Sequence, residues 1–487
     1  MAEKSSNFDV VIVGAGISGI DAAYRLQTQT PDQTFTIIEA RDAIGGTWDL
    51  FKFPGIRSDS DLYTFGFPFK PWVKPNAIAE ASAILEYLDE TVREFGIDRK
   101  IQFHHKLQSA NWSSDSQSWS LEVDASGQQE RYNCNFVLFC TGYYDYENPL
   151  SATIPGLENF SGTTIHPQFW PEKLDYTNKH VVVIGSGATA ITIVPNVAKT
   201  AARTTMLQRS PSFVVAQAQD DAINRFFRSY FPYRYAHSLI RFKSFILPEL
   251  FYRYCRRFPT AARRLIKKGA ASLLPPDYPL DPNFEPKYNP WEQRMCICPG
   301  GDFFEALKNG SAEIVTAAIE TVTHDTIVLK DTPTELKPDI IVTATGLRLL
   351  IAGGATISVD NEPVHIPDRT MYRGMMLSDV PNAAIVIGYT NASWTLGADT
   401  TAQFVTRLLN HMKTRGYTQA VPHFDESQPM GERPVLDLSA TYISKGGSNL
   451  PKAGDRGPWR PRKMWLTDLW DAWYGSFTDL EFSRVSS

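Results

Sequence analysis

The architecture of this chain follows from one stretch near its start, Phe8-Asp-Val-Val-Ile-Val-Gly14-Ala-Gly16-Ile-Ser18-Gly19. The β-branched run before Gly14 predicts a buried parallel strand, and the apolar spacing that follows predicts a helix. Gly14 permits a tight turn, Gly16 lets the backbone approach a pyrophosphate, and Gly19 lets the helix pack closely on the strand. A second predicted strand ends at Glu39, twenty residues beyond Gly19, where a carboxylate can accept hydrogen bonds from an unmodified ribose. This pattern predicts a dinucleotide-binding unit.

A second unit of the same kind occupies residues 180–209. Its turn follows an apolar strand and reads Gly185-Ser186-Gly187-Ala188-Thr189-Ala190, with alanine in place of the third glycine, which the fingerprint allows. Its second strand ends at Gln208 rather than at a carboxylate, and Arg209-Ser210 follow. A carboxylate would repel a 2′-phosphate, whereas the guanidinium of Arg209 can bind it bidentately. This unit is therefore predicted to bind NADPH rather than NADH.

Two dinucleotide units in one chain predict electron transfer between two cofactors. The N-terminal unit tolerates a free ribose hydroxyl and is assigned to FAD, through Gly14, Gly16, Ser18, Gly19 and Glu39. Predicted strands that end in Cys140-Thr-Gly142 and Ala344-Thr-Gly346 indicate two crossings of the chain between the units. The expected fold class is α/β, with two Rossmann-like dinucleotide-binding domains, for FAD and NADPH, and a helical insert.

The expected domains alternate along the chain, because it leaves and re-enters each unit. They are residues 1–150 for the first part of the FAD-binding domain, 151–215 for the first part of the NADPH-binding domain, 216–288 for the helical insert, 289–346 for the second part of the NADPH-binding domain, and 347–487 for the second part of the FAD-binding domain and the C-terminal tail.

The composition excludes several other classes of protein. Hydrophobic residues make up 43% of the 487 residues and charged residues 21%, which is typical of a globular chain rather than a disordered or fibrous one. The net charge of −5 supplies no positive field that would favour nucleic acid. Five scattered cysteines and an N-terminus without a leader predict a cytoplasmic protein in a reducing compartment. The one close pair, Cys296-x-Cys298, lacks the further ligands of a metal site, so no metal is expected.

Residues 222–275 differ from the rest of the chain in charge. They hold twelve Lys and Arg residues against a single carboxylate, Glu249, for a local excess of eleven positive charges, and aromatic residues lie between the basic ones. Two interpretations stay open. The segment is either a set of helices packed on the NADPH domain under a solvated basic rim, or a surface that makes peripheral contact with an anionic membrane.

Residues 160–171, Phe-Ser-Gly-Thr-Thr-Ile-His-Pro-Gln-Phe-Trp-Pro, follow the pattern FxGxxxHxxxWP just before the second unit. This segment resembles the fingerprint of the type I Baeyer–Villiger monooxygenases, which belong to the class B flavoprotein monooxygenases. Its marked positions are Phe160, Gly162, His166 and Trp170. The resemblance implies that the segment lies at the joint between the domains and that His166 is a hinge or relay residue.

Three further segments are similar to the same family, closest to its ethionamide-activating monooxygenase branch. Residues 45–61 resemble a segment that runs beside the flavin, Asn289-Pro-Trp-Glu-Gln-Arg294 resembles the one that carries the catalytic arginine, and residues 390–396 complete the likeness. The roles implied are flavin binding for Gly46, Thr47, Trp48 and Asp59, NADP binding for Arg57, catalysis for Arg294 and Asp59, and a substrate pocket at Asn391, Ser393 and Trp394.

The activity implied by the resemblance is Baeyer–Villiger oxidation. One atom of O2 is inserted beside a ketone carbonyl through a peroxide at flavin C4a, giving an ester or lactone, and sulfide oxidation is expected as well. Arg294 is permanently charged and can stabilise the anionic oxygen, with Asp59 as its counter-charge. The alternatives are a flavin monooxygenase that oxygenates only S or N, an NADPH–disulfide reductase, which would need a cysteine pair near the flavin, and a catalytically silent flavoprotein bound to a membrane.

Overall fold

The structure is a computed structural model that describes residues 4–424, 430–436 and 446–485. Its helices are α1 (Ile17–Gln29), α2 (Thr47–Leu50), α3 (Leu62–Phe65), α4 (Ala81–Glu94), α5 (Ala188–Val197), α6 (Ala222–Tyr230), α7 (Tyr233–Arg257), α8 (Pro259–Ala271), α9 (Leu280–Asn283), α10 (Asp302–Lys308), α11 (Trp394–Arg415) and α12 (Trp465–Tyr474).

The strands are short, as is usual in α/β proteins. They are β1 (Lys4–Val13), β2 (Phe35–Ile38), β3 (Ile101–Gln102), β4 (His105–Ser113), β5 (Ser118–Ala125), β6 (Gln128–Phe139), β7 (Thr163–Ile165), β8 (His180–Ile184), β9 (Arg203–Gln208), β10 (Val214–Gln217), β11 (Cys296–Pro299), β12 (Ala312–Thr316), β13 (Ile319–Val322), β14 (Ile327–Leu329), β15 (Glu335–Leu336), β16 (Ile340–Thr343), β17 (Thr356–Val359), β18 (Glu362–Pro363), β19 (Met371–Tyr372), β20 (Met376–Leu377), β21 (Ala383–Ile385), β22 (Gln419–Pro422), β23 (Glu432–Pro434), β24 (Lys452–Gly454) and β25 (Leu480–Ser483).

The first sheet has β1 at its centre, paired in parallel with β2 on one side and β6 on the other. Its strand order is β18-β17-β4-β5-β6-β1-β2-β3, and β21 adds to the end of β6. Val10, Val11 and Ile12 are fully buried, which explains why β1 is a continuous apolar run rather than an alternating one. An antiparallel meander, β4-β5-β6, extends the sheet on one side and was not expected from the sequence.

The second sheet is parallel throughout, in the order β12-β9-β8-β16-β7. Its central strand β8 lies between β9 and β16, as β1 lies between β2 and β6. Connections to the two neighbours of such a strand leave in opposite directions, so a crevice opens at its carboxyl end. The α/β fold class with two Rossmann-like units is confirmed, and both glycine turns lie at these switch points.

Strands from distant parts of the sequence complete both sheets. The chain enters the second sheet at β7, leaves it after β9, and returns for β12 and β16. It then re-enters the first sheet through β17 and β21, and α11 packs against α1. Helices α6, α7 and α8 lie between β10 and β11, two strands that pair with each other in parallel.

Candidate functional site

The first glycine turn leaves no room for side chains. Gly14 has φ of +105°, and a Cβ there would lie 2.7 Å from the carbonyl oxygen of Cys140. Gly16 is the N-cap of α1 and offers no side-chain cap, while Ser18 and Gly19 are buried in the first turn of the helix. The free N–H groups and the positive dipole end of α1 therefore face the crevice, as a pyrophosphate requires.

Glu39 lies at the end of β2, directly beside this turn. Its Oε2 accepts a hydrogen bond of 2.7 Å from the backbone N–H of Ala15, and its Oε1 accepts one of 2.9 Å from that of Arg41. A carboxylate has about four lone-pair sites, so two remain for ribose hydroxyls. The same side chain thus holds the turn in shape and keeps the acceptors that an unmodified ribose needs.

The segment that follows packs against the turn from the other side. The N–H of Gly45 donates to the carbonyl of Ala15 at 3.1 Å, and a Cβ on Gly46 would lie 3.4 Å from Cα of Gly16. Thr47 Oγ1 lies 3.0 Å from the hydroxyl of Tyr146. Next to it, the ring of Trp48 packs edge-on against Phe65 at 5.5 Å. Gly46, Thr47 and Trp48 therefore stand where a dinucleotide on α1 would meet them.

Trp394 connects the predicted substrate loop to the first turn. Its Nε1 donates a 2.8 Å hydrogen bond to Ser18 Oγ, and its ring stacks on Tyr143 at 5.0 Å. Tyr143 directly follows the Cys140-Thr-Gly142 turn, so the loop, the first crossing and the helix N-terminus meet at one point.

The two other residues of this loop contact different elements. Ser393 Oγ lies 3.0 Å from Thr64 Oγ1 in α3. Asn391 Nδ2 donates a 3.1 Å hydrogen bond to Oε2 of Glu249, a buried carboxylate on α7 of the insert. The sequence offered no sign of this contact between the insert and the loop.

Arg294 and Asp59, the two predicted catalytic residues, form an ion pair. Arg294 Nε lies 3.1 Å from Asp59 Oδ2, and Arg294 Nη2 lies 3.5 Å from Oδ1. About a third of each side chain is exposed, 32% and 36%, so the pair opens onto solvent. Burial raises the pKa of Tyr143, and the charge of Arg294 acts to lower it, while that of Asp59 acts to raise it.

The second glycine turn repeats the geometry of the first. Gly185 has φ of +143°, and a Cβ there would lie 2.2 Å from the carbonyl oxygen of Ala344, in the second crossing. Gly187 is the N-cap of α5 without a side-chain cap, and Ala188, Thr189 and their N–H groups begin that helix. This helix N-terminus is again free to bind a phosphate.

Residues around the second turn define where a 2′-phosphate would be bound. Ser186 Oγ donates to the carbonyl of Ser210 at 2.9 Å, and Arg209 beside it is exposed. Gln208 instead points into the fold, where its Nε2 donates to Asn283 O at 3.0 Å. The thiol of Cys296 lies 3.7 Å from the carbonyl of Ser186. Because Cys296 is two residues from Arg294, the catalytic candidate lies near the second glycine turn.

Arg57 is already bound to a carboxylate. Its two Nη atoms pair with the two oxygens of Asp302, at the start of α10, and its side chain is only 11% exposed. A guanidinium has five N–H donors, so three remain for a cofactor phosphate. Asp302 is separated from Arg57 by 245 residues, and the sequence contained no signal of the pair.

The FxGxxxHxxxWP segment touches both crossings between the sheets. Burial lowers the pKa of His166, and a backbone hydrogen bond with Gly346 in the second crossing acts against that shift. Gln168 Nε2 donates at 2.8 Å to the carbonyl of Asp145, just after the first crossing.

Three marked positions of the segment serve packing. A Cβ on Gly162 would lie 2.5 Å from the ring of Phe160, so only glycine fits there. Trp170 is buried in the core of the second sheet.

A buried cluster of charges lies beneath α1 and was not foreseen from the sequence. Asp21 on α1 is fully buried, and burial raises the pKa of its carboxyl well above the ordinary value, with Asp399 on α11 acting in the same direction. Arg25 Nε and Nη2 each lie 2.7 Å from Asp399 Oδ1, and Gln403 Nε2 donates to Oδ2 at 2.8 Å.

Arg241 brings the insert into the same cluster. It lies on α7, and its Nη1 donates to the carbonyls of Tyr63 and Gly66, at 2.6 and 2.8 Å. Asp61, the N-cap of α3, accepts from Thr64 N at 3.0 Å and is among the carboxylates that raise the pKa of Arg241 against the lowering caused by burial. The insert is thereby anchored to the segment that carries Asp59.

Residues 7–250 match the family model described as FMO-like, flavin-binding monooxygenase-like. FAD-containing monooxygenase EthA of Mycobacterium tuberculosis (strain ATCC 25618 / H37Rv) is 45% identical, over 96% of this chain and 95% of that protein. The probable FAD-binding monooxygenase AlmA of Acinetobacter baylyi (strain ATCC 33305 / BD413 / ADP1) is 42% identical, over 95% of this chain and 93% of that protein.

Solved structures share the fold. OTEMO in complex with FAD and NADP has a TM-score of 0.75 at 19% identity, covering 99% of this chain and 100% of that one. Cyclohexanone monooxygenase from Rhodococcus sp. Phi1 bound to NADP+ has a TM-score of 0.73 at 20% identity, with the same coverage of 99% and 100%. With glycine turns, switch points and relatives in agreement, the chain belongs to the flavin-binding monooxygenase-like family, and its sequence-based recognition as a flavoprotein monooxygenase is confirmed.

Proposed function

We propose that this protein uses FAD, NADPH and O2 to insert one oxygen atom beside a ketone carbonyl, giving an ester or lactone, and that it also oxidises sulfides. The observation that carries the proposal is the Arg294–Asp59 pair, which is partly exposed to solvent and lies two residues from Cys296, a residue in contact with the second glycine turn. The flavin, when bound, supplies the redox and oxygen chemistry, which no side chain can perform.

The residues of the two glycine turns and their neighbours fit both cofactors. Gly14, Gly16 and Ser18 would hold the FAD pyrophosphate at α1, and Glu39 its ribose. The turn from Gly185 to Thr189 would hold the NADPH pyrophosphate at α5. Arg209 and Ser210 would bind its 2′-phosphate. Arg57, which is held in an ion pair by Asp302, would also contact NADPH.

The role proposed for Arg294 is electrostatic. Its guanidinium stays charged at any pH at which the enzyme works, so it can bind negative charge that develops on oxygen in the transition state. Asp59 orients the guanidinium, and about a third of the Arg294 side chain is exposed to solvent, on the side from which a substrate would approach. Trp394, Ser393 and Asn391 would form the wall of the pocket, because they join the flavin side to the insert.

We propose that the polypeptide divides as its strand pairing suggests. Residues 1–150 and 347–487 would form the FAD unit, residues 151–215 and 289–346 the NADPH unit, and residues 216–288 the insert. His166 would act as a hinge, since its segment touches both crossings and a small rotation there would move one unit against the other.

One experiment tests the activity. Purified protein with FAD is supplied with NADPH and separate panels of ketones and sulfides, and the products and H2O2 are quantified. Esters or lactones formed in proportion to NADPH support the proposal. Sulfoxides without any ester would favour the alternative that oxygenates only heteroatoms, and H2O2 alone would contradict the assignment.

The NADPH–disulfide reductase alternative lacks its reactive thiols. Cys140 lies against Gly14 at the first turn, but it is buried and burial raises the pKa of its thiol, whereas a redox cysteine needs a stabilised thiolate. All five cysteines are free. Free thiols are typical of a reducing compartment, and we propose a cytoplasmic protein that makes peripheral contact with a membrane through residues 222–275.

A further inference from the structure

Helix α6 of the insert turns large apolar side chains towards solvent. Ile223, Phe226 and Tyr230 are 49%, 52% and 74% exposed, and their spacing of three and four residues puts them on one face. The rings of Phe226 and Tyr230 contact each other at a tilt, with their centroids 4.8 Å apart. A soluble surface rarely holds aromatic side chains so close together without a partner.

The first half of α7 continues this apolar surface. Tyr235, Leu239 and Phe242 share one face of the helix and are 66%, 36% and 58% exposed, whereas His237 and Ile240 on the opposite face are buried. Phe231 joins the two helices, since its ring lies 6.4 Å from Phe226 and is itself 41% exposed. We call the exposed side chains of Phe226, Tyr230, Phe231, Tyr235, Leu239 and Phe242 the apolar face.

Ion pairs in the structure neutralise part, but not all, of the positive charge expected around this face. Arg228, Lys243 and Lys267 pair with Asp220, Asp221 and Glu285, which lie outside residues 222–275. Counting those three acids lowers the local excess from eleven to eight positive charges. The basic side chains that stay exposed on the three helices are Arg225, Arg234, Arg253, Arg256, Arg257, Arg264 and Lys268.

We propose that the apolar face and its basic rim bind the interface of an anionic lipid bilayer, with α6 and α7 lying in the plane of the membrane. Among the described residues, no helix combines the length and apolar character needed to cross a bilayer, which leaves contact in the plane. The inference deepens the membrane contact proposed above and needs no particular substrate. It rests on the insert alone, not on the chemistry of Arg294.

The positive charge around the apolar face favours an anionic membrane over a second copy of the chain as its partner. Two copies meeting through the apolar face would bring two surfaces of like charge together, which opposes association. Anionic headgroups would instead neutralise the rim while the aromatic rings enter the boundary with the acyl chains. The tyrosines suit this depth, because each has an apolar ring and a polar tip that can stay wet.

The orientation that follows places the active site close to the membrane. Helix α7 contacts the α3 segment through Arg241, on a side away from the apolar face, and contacts Asn391 through Glu249, seven residues beyond Phe242. A bilayer bound at the apolar face would therefore lie about two helical turns from the residue of α7 that contacts the predicted substrate loop.

The test is sedimentation of the holoenzyme with phosphatidylcholine vesicles that contain either no or about a third phosphatidylglycerol, at low and high salt. We expect binding to the anionic vesicles at low salt, with at least a tenfold loss at high salt or on neutral vesicles. Equal binding to both vesicles, or none to either, would overturn the proposal.

Substitutions in the apolar face test whether this surface is the one that binds the vesicles. Phe226→Ser with Tyr230→Ser should weaken binding at least tenfold. The matched control, Trp470→Ser with Tyr474→Ser, removes a similar tilted aromatic pair on α12, with centroids 4.5 Å apart, and should not weaken binding. An equal loss in both would contradict the assigned face.

A second pair of variants tests the contribution of positive charge to vesicle binding and leaves the residues of the apolar face unchanged. Arg256→Gln, Arg257→Gln and Arg264→Gln together should weaken binding, whereas the same change at the exposed Arg99, Lys330 and Lys337 should leave it unchanged. Dimerisation in solution that Phe226→Ser abolishes, without vesicle binding, would favour a second copy instead. In the absence of vesicles, all of these variants should oxidise NADPH at the wild-type rate. A failure of the membrane proposal can therefore be distinguished from a failure of the proposed activity.

Discussion

Arg294 Nε lies 3.1 Å from Asp59 Oδ2, although 235 residues separate the two in sequence. Asp59 stands just before α3, and Arg294 stands just before β11, whose first residue, Cys296, contacts Ser186 of the second glycine turn. A pair this exposed adds only about 0–1 kcal/mol to stability. Its value is therefore in orientation: the carboxylate holds a permanent cation in one place near the second glycine turn.

Replacing Arg294 by alanine should abolish oxygen insertion while NADPH oxidation continues. Loss of one electrostatic contact to a developing oxyanion costs about a hundred- to a thousandfold in rate. The measurement is ester formed and H2O2 released per NADPH consumed. Asp59→Asn should show a smaller loss, because the cation remains but is no longer oriented. Ester formation at the wild-type rate by Arg294→Ala would contradict the catalytic role.

Arg209→Ala should raise KM for NADPH far more than KM for NADH. A lost charged hydrogen bond to a phosphate costs about 1.5–3 kcal/mol, which corresponds to roughly a ten- to hundredfold effect. Arg203→Ala is the matched control, because Arg203 is an exposed arginine at the start of β9, the strand that Arg209 follows, and pairs with Glu313 instead. Equal effects on the two nucleotides would place the 2′-phosphate elsewhere.

Two glycines of the second turn should respond differently to alanine. Gly185→Ala forces a Cβ to within 2.2 Å of the Ala344 carbonyl at a positive φ, so we expect loss of folded protein. A Cβ on Gly187 would meet no atom within 4 Å, so Gly187→Ala should fold normally and lose NADPH affinity, because the new methyl group occupies the place of the pyrophosphate. Thermal unfolding and NADPH titration separate the two. Unchanged affinity in Gly187→Ala would remove the site from this turn.

Because of His237, the folded protein should become less stable as the pH is lowered. Burial, with a contribution from Arg241, lowers the pKa of this histidine from 6.5 to about 4. Between these values the unfolded chain binds a proton that the folded protein does not, so stability is lost as pH falls from about 6.5 to 4, by up to about 3 kcal/mol. His237→Gln should flatten the urea-unfolding profile over this range, whereas His365→Gln, at an exposed histidine, should not. A profile unchanged by His237→Gln would contradict the assignment.

Arg241→Met should destabilise the protein by about 3–5 kcal/mol, because the buried carboxyl groups of the cluster lose a permanent cation. The guanidinium also holds the carbonyls of Tyr63 and Gly66. Urea unfolding of the holoenzyme measures the effect, and Arg234→Met, at an exposed position of the same helix, is the control. A loss below about 1 kcal/mol would mean that water replaces the guanidinium in the cluster.

The sequence by itself determined the two dinucleotide units, because each is a local motif. A strand, a glycine turn and a helix within thirty residues need only their own spacing, and Gly14 and Gly185 could be recognised before any contact was known. The order of the units and the crossings at Cys140 and Ala344 followed from the same kind of signal.

Only the tertiary structure decided which distant side chains meet. Arg57 with Asp302, Asn391 with Glu249, and Arg241 with α3 join segments more than 140 residues apart. Sequence spacing carries no information on such pairs, since their approach is set by the packing of whole helices and sheets. The same holds for the insert, where the sequence gives the positive charge but burial and pairing determine which of its side chains remain exposed.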